Sequence, residues 1–350
     1  MKKVLCLVLA LLMLLALCAS GSKSTAPAAD TKKDEPAKTE TKEFSCAVAL
    51  PEGELMVEVM KKMGEDLYAR TDGRYSIKVY PNAQLCTQPE LFGMIMSGGV
   101  TMGEAPIECQ AEADVRFTAL QLPFAFDSLE ANYKFNLLAN ERLNNKIIAE
   151  KFDAFPIFSV SSGIMQYVGT GSRVATVDDL KGQLIWVSNS LAASTTTALG
   201  GSPVTMEWND GYPALQKHTV DGAFAASLLG PYNFHWEDAL KSITICNISG
   251  SSSNMYMSLK DFNAMSEADQ KVLLELAAAT EKELMDYYYD MAEKLPDLLR
   301  ERGIDVYELS ADELAAWRNA ASSVYDTYYA QLDPADAEII RKCFEEANAG

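Results

Sequence analysis

Asp178-Asp179-Leu180-Lys181-Gly182-Gln183-Leu184-Ile185-Trp186-Val187 opens the stretch that decides the fold. It runs on through Ala198-Leu199-Gly200-Gly201-Ser202-Pro203 and closes on Tyr212-Pro213-Ala214-Leu215-Gln216-Lys217-His218-Thr219-Val220-Asp221-Gly222. Leu184 to Val187 is an apolar run of strand length. Ser188 or Asn189 offers a side-chain oxygen to cap a following helix. Gly200-Gly201 ends that helix, and Pro203 keeps the next segment extended. Asp221-Gly222 marks a turn before the apolar run Ala223 to Leu229. The order is capped turn, strand, helix, strand, helix, turn. That is an α/β unit, whose site belongs at the ends of its strands.

Upstream, Phe44 to Leu50 reads as a strand and Leu55 to Leu67 as a helix. Tyr75 to Tyr80 is an alternating strand, Pro89 to Met96 a helix and Val100 to Ala105 a third strand, a parallel β-α-β-α-β pattern. Leu120 to Phe126 is an apolar turn around Pro123, and Leu129 to Phe155 reads as helical. Ile157 to Ser161 is a strand, with a crossover at Gly163. Downstream, Ser242 to Ile248 and Met255 to Leu259 are strands separated by a flexible break, Ser249-Gly250-Ser251-Ser252-Ser253. Ser266 caps a long helix over about Gln270 to Glu293, reaching Pro296. Its Tyr287-Tyr288-Tyr289 suit core packing. Val306 to Leu309 is a last strand, and Ala311 to Glu346 supplies terminal helices.

The 350 residues suffice for two domains, and a net charge of -19 makes nucleic acid and anionic membrane surfaces poor partners. Lys2 and Lys3 precede the apolar run Val4 to Leu17, too short to span a bilayer comfortably and built like a signal peptide. Leu15-Ala16-Leu17-Cys18 resembles a bacterial lipobox, apart from Leu17 where a small residue is usual. Cys18 is therefore expected to be lipidated and to anchor the chain outside the cell membrane, with ordinary secretion and a free periplasmic chain as the alternative. Ala19 to about Lys42 is too polar to fold and reads as a tether. The cysteines after Cys18, namely Cys46, Cys86, Cys109, Cys246 and Cys343, have long spacings and no Cys-x-x-Cys. They indicate buried thiols rather than a metal site or disulfide framework.

The chain lacks His-Glu-x-x-His, Gly-x-Ser-x-Gly and Gly-x-x-x-x-Gly-Lys-Ser/Thr. Of its two histidines, His218 sits in a turn and His235 beside Trp236, and each reads as a surface or packing residue. No nucleophile with its base is visible, so binding without catalysis, metal or cofactor is the expectation.

Arg70-Thr71-Asp72-Gly73-Arg74-Tyr75-Ser76-Ile77-Lys78-Val79-Tyr80-Pro81-Asn82-Ala83-Gln84-Leu85 resembles the first-domain signature of the extracytoplasmic solute receptors of TRAP transporters, the DctP family. Leu122-Pro123-Phe124, Asp179-Leu180-Lys181-Gly182, Ala198 to Gly222 and Ser266 to Gln270 resemble its later landmarks, so the resemblance covers about Phe44 to Asn348. It implies an α/β, two-lobed, periplasmic-binding-protein-like (type II) fold with a long inter-lobe helix. The implied division is a signal peptide over 1–17, a lipidated tether over 18–43, lobe I over 44–165 plus about 253–293, and lobe II over 166–252 plus about 294–350. It also implies a monomer that delivers a small organic solute to TRAP membrane subunits after the lobes close on it. A ligand sensor for a membrane receptor kinase is the alternative on the same fold.

Departures from the family fall at the expected site. Trp186 stands where an arginine usually clamps a carboxylate, Met165 where a second arginine is common, and Ala225 in place of an asparagine. Arginine suits that task because its fork binds carboxylates bidentately. Trp208 and Asn189 are retained. Tyr212, Asp210, Ala49 and Glu108 complete the expected ligand-binding set, with Glu108 as a counter-charge. The implied ligand is aromatic or otherwise not a simple carboxylate, stacked on Trp186 and Trp208. The alternative is an organic acid held by the helix N-terminus at Ser188-Asn189-Ser190 or by Arg173.

Overall fold

The computed structural model describes residues 40–349, so the signal peptide, Cys18 and most of the tether lie outside the described residues. Two sheets organise the chain. The first contains β1 (Lys42–Ala47), β2 (Tyr75–Tyr80), β3 (Met102–Ala105) and β4 (Ala154–Val160). The second contains β5 (Met165–Gly169), β6 (Leu184–Val187), β7 (Ser202–Thr205), β8 (Gly222–Ala226) and β9 (Ser242–Ser249). β10 (Ser253–Ser258) then returns to the first sheet, and β11 (Asp305–Glu308) to the second. The orders are β2-β1-β3-β10-β4 and β11-β9-β5-β8-β6-β7.

The stretch quoted first forms its unit as read. β6 lies parallel to β7 and to β8, with Leu184 opposite Ser202 and Ile185 opposite Gly222. Asn189 caps the helix Ser190–Ala198 by accepting from the Ala192 N–H at 2.9 Å.

Several boundaries differ from expectation. The tether expected to reach residue 43 yields to β1 at Lys42, whose N–H pairs with the Arg74 carbonyl at 2.8 Å. The helix expected to stop near Glu293 runs from Glu267 to Glu301 and spans about 50 Å. Pro296 sits inside it. This helix packs beside the helix Leu55–Arg70 and β4, and continues to the short helix Leu229–Asn233. Arg74 fixes its start by gripping Asp269 at 2.7 and 3.2 Å.

Ser249 to Ser253, read as a flexible break, is instead packed. Ser249, Ser251, Ser252 and Ser253 are buried, and the Gly250 N–H donates to the Leu120 carbonyl at 2.9 Å. The segment crosses between the sheets beside the Val160-to-Met165 crossover. The Ser251 hydroxyl donates to the Gly163 carbonyl and joins the two.

The terminal helix, expected with the second lobe, packs on helix Leu129–Ala139 beside the first sheet. Phe344 stacks on Phe135 with centroids 4.1 Å apart, and Arg142 pairs with Glu346. An apolar face on Pro334–Ala347 buries Ile340 and Cys343 there, which sequence order alone does not assign to either sheet. The five described cysteines are unpaired, four of them buried. No described helix is long and apolar enough to cross a membrane.

Candidate functional site

The carboxyl ends of β3, β6 and β8 face one cavity of about 180 Å³ between the two sheets. In open α/β sheets this is where ligands bind, because loops leave the strand ends there. Leu50, Glu104, Pro106 and Glu108 line it from the first sheet, and Trp186, Ser188, Trp208 and Ala225 from the second. Ser251, Ser252 and Ser253 come from the crossover and Tyr288 from the long helix. A neighbouring cavity of about 280 Å³ shares Ser162, Ser227, Leu229 and Tyr288. We take the smaller as the candidate site because the buried, oriented carboxylates belong to it.

Glu104 and Glu108 are each only 3 % exposed. Adjacent crossover serines hold them. Ser253 Oγ donates to Glu104 at 2.6 Å, with Gln88 Nε2 on the other oxygen at 3.0 Å. Ser252 donates to Glu108 twice, from its N–H at 3.2 Å and its hydroxyl at 2.8 Å. Burial pushes Glu108 up to about 7 against these hydrogen bonds, with Glu104 adding repulsion. Burial also raises Glu104. Glu54, accepting from Asn233 at 3.2 Å, and Glu207 line the same cavity and are raised by burial as well. Among the described residues, no Arg, Lys or His lines it.

The expected residues divide. Met165, Trp186, Trp208, Ala225 and Glu108 reach the cavity. Trp186 does so only at an edge, being 1 % exposed. Its indole N–H donates to the Met206 carbonyl at 3.1 Å, and it packs with Trp208 and Trp236 at centroid distances of 5.6 and 6.3 Å. Trp208 is only half-buried and lines the cavity. Asn189 does not line the cavity, since its carboxamide is spent on the helix cap. Ala49 is buried beside Leu50. Asp210 is exposed, and Tyr212 turns outward to donate to Asp238 at 2.9 Å while stacking on Trp236. Arg173, the alternative carboxylate donor, is fixed to Asp305 at 2.6 and 2.9 Å and lies over the Tyr307 ring.

Sequence reasoning missed Glu54, Glu104, Glu207 and the serine pair. A lone charge inside the strand Met102-Gly103-Glu104-Ala105 was the available signal, because an unpaired acid seldom occupies a buried strand.

Gly211 makes room for Trp186. A Cβ there would lie 2.0–2.4 Å from the indole ring. Gly211→Ala is therefore expected to lower stability by about 2 kcal/mol despite alanine's better helix propensity. Chemical denaturation checks this, and a neutral or stabilising result would show that the indole shifts freely.

A family profile described as "Bacterial extracellular solute-binding protein, family 7" (DctP) matches residues 46–332. The chain belongs to the DctP family. It is an extracytoplasmic solute receptor of the TRAP type and a binding subunit rather than an enzyme. It is 27% identical over 267 residues to the C4-dicarboxylate-binding periplasmic protein DctP of Rhodobacter capsulatus, covering 73% of this chain and 77% of that one. The fold matches DctP7 of Bordetella pertussis, a receptor binding pyroglutamic acid, at TM-score 0.80 and 17% identity over 87% of this chain and 100% of that one. It also matches the sugar acid binding protein DctPAm of Advenella mimigardefordensis, in complex with galactonate, at TM-score 0.81 and 18% identity over 88% and 99%. This DctP-family receptor thus shares an architecture with acid binders while its cavity wall carries acids of its own.

Proposed function

We propose that this receptor captures a small solute other than a simple carboxylate between two lobes built on the two sheets, and hands it to TRAP membrane subunits. One observation carries the reading. Among the described residues no cationic side chain lines the cavity, whereas four glutamates do. A ligand carboxylate would meet like charge there, without the bidentate donors that make arginine effective. Trp208 and Phe234, with ring centroids 6.1 Å apart, offer an aromatic wall instead. The receptor acts as a monomer tethered by lipid at Cys18, and a Cys18→Ser variant should lose the lipid mass from its mature N-terminus.

A thermal-shift screen, preceded by native mass spectrometry of the purified protein, tests the ligand class. A true ligand at a hundredfold excess over Kd should stabilise by about 2.7 kcal/mol. Acids such as succinate and galactonate should leave the melting point unchanged. A shift confined to such acids would overturn the proposal.

A further inference from the structure

We infer that the solute carries a positively charged nitrogen on an apolar or aromatic body, with Glu104 and Glu108 binding the charge and Trp208 lying against the body. The inference rests on the reading of the inter-sheet cavity as the solute site and names the substrate class of that site.

Four carboxylic side chains are buried in the described residues, and they fall into two pairs. Asp114 and Asp269 lie away from the cavity, and each has its base. Arg116 and Lys151 reach Asp114 at 2.6 Å, and Arg74 reaches Asp269 at 2.7 Å. Glu104 and Glu108 lie in the cavity, and neither forms an ion pair with a described residue. Hydrogen bonds from Ser252, Ser253 and Gln88 orient them but bring no charge. A buried carboxylate without a counter-ion is costly, and the cost falls when a cation arrives. The rest of the chain follows that rule with its own arginines. In the cavity the missing partner is left to the ligand.

The remaining wall agrees with an organic cation. Glu54 and Glu207 add further negative potential at the same cavity. Trp208 and Phe234 present ring faces and edges suited to a cation with an apolar body. No three His, Cys, Asp or Glu side chains converge as metal ligands among the described residues. Burial raises Glu108 to about 7, and a cation beside it would favour its ionised form.

The test measures binding to the full-length protein by calorimetry and by tryptophan emission, since Trp186, Trp208 and Trp236 form one cluster at the cavity. The probes are phenethylamine, choline and putrescine, each against its neutral isostere (2-phenylethanol, 3,3-dimethyl-1-butanol and 1,4-butanediol), with succinate and galactonate as acids. At least one amine should bind about tenfold or more tighter than its isostere and change the emission. Replacing Glu104 and Glu108 together by Gln should weaken that amine roughly a hundredfold. Met165→Arg, which puts a base in the cavity with both glutamates intact, should do the same. Tighter binding of an isostere or an acid, with the emission change, overturns the cation assignment and leaves the cavity a solute site. Amine binding that survives both variants and leaves the emission unchanged overturns this inference and the reading beneath it. Silence toward all three amines overturns the inference as well.

Discussion

Trp186→Ala is expected to destabilise the unliganded chain by about 3–5 kcal/mol, read as a lower urea midpoint with an unchanged slope. The indole is buried, bonded to the Met206 carbonyl and seated where Gly211 carries no Cβ. Its removal empties the centre of a cluster that includes Trp208 and Trp236, and helix Trp208–Gln216 cannot collapse inward without moving the cavity wall. Trp208→Ala is the control. Its ring is half-exposed, so its fold cost should be smaller while its effect on solute affinity is larger. Equal stability of Trp186→Ala and the parent would return Trp186 to a purely ligand-facing role.

The unliganded protein should become less stable as pH rises from about 4.5 to 7, by about 2–3 kcal/mol. Glu108 in the folded chain keeps its proton up to about 7, far above its ordinary range. Across that window the folded state binds more protons than the unfolded one, so stability is greatest at the acid end and is lost as pH climbs through the folded value. The groups facing Glu108 are Glu104 from β3, Cys109 from its own turn and Tyr256 from β10, with no base among them. Asp114, held at about 2, opposes no part of this trend, because burial would raise it but Arg116 and Lys151 outweigh burial and keep it ionised throughout. Glu108→Gln should flatten the profile and exceed the parent in stability at pH 8. Denaturant midpoints across pH measure both. A parent that gains stability between pH 5 and 7 would contradict the assignment.

The frame of this receptor was legible in its sequence because its signals are local. Asp179 to Gly182, the Asn189 cap and Asp221-Gly222 each act over a few residues, and the structure places them as read. The family signature and the absence of catalytic motifs were legible on the same basis. The charge of the cavity was not, because it arises between segments far apart in the chain. Glu104 gains its meaning from Ser253, 149 residues away, and Glu108 from Ser252, 144 residues away. The deep burial of Trp186 was not legible for a related reason. A residue at a strand end can face the cleft or the helix that follows, and the missing Cβ of Gly211 decides it. The last helix likewise carries an apolar face whose partner, Phe135, lies more than two hundred residues earlier.

The serine crossover has one more consequence. Ser251 fastens it to the neighbouring crossover at Gly163, while Ser252 and Ser253 grasp the two cavity glutamates. The strip of backbone that links the two sheets is therefore also the strip that holds the cavity's buried acids. On the proposed reading, a change of charge in the cavity would therefore be felt at both crossovers at once, through Ser252 and Ser253 on one side and Ser251 on the other.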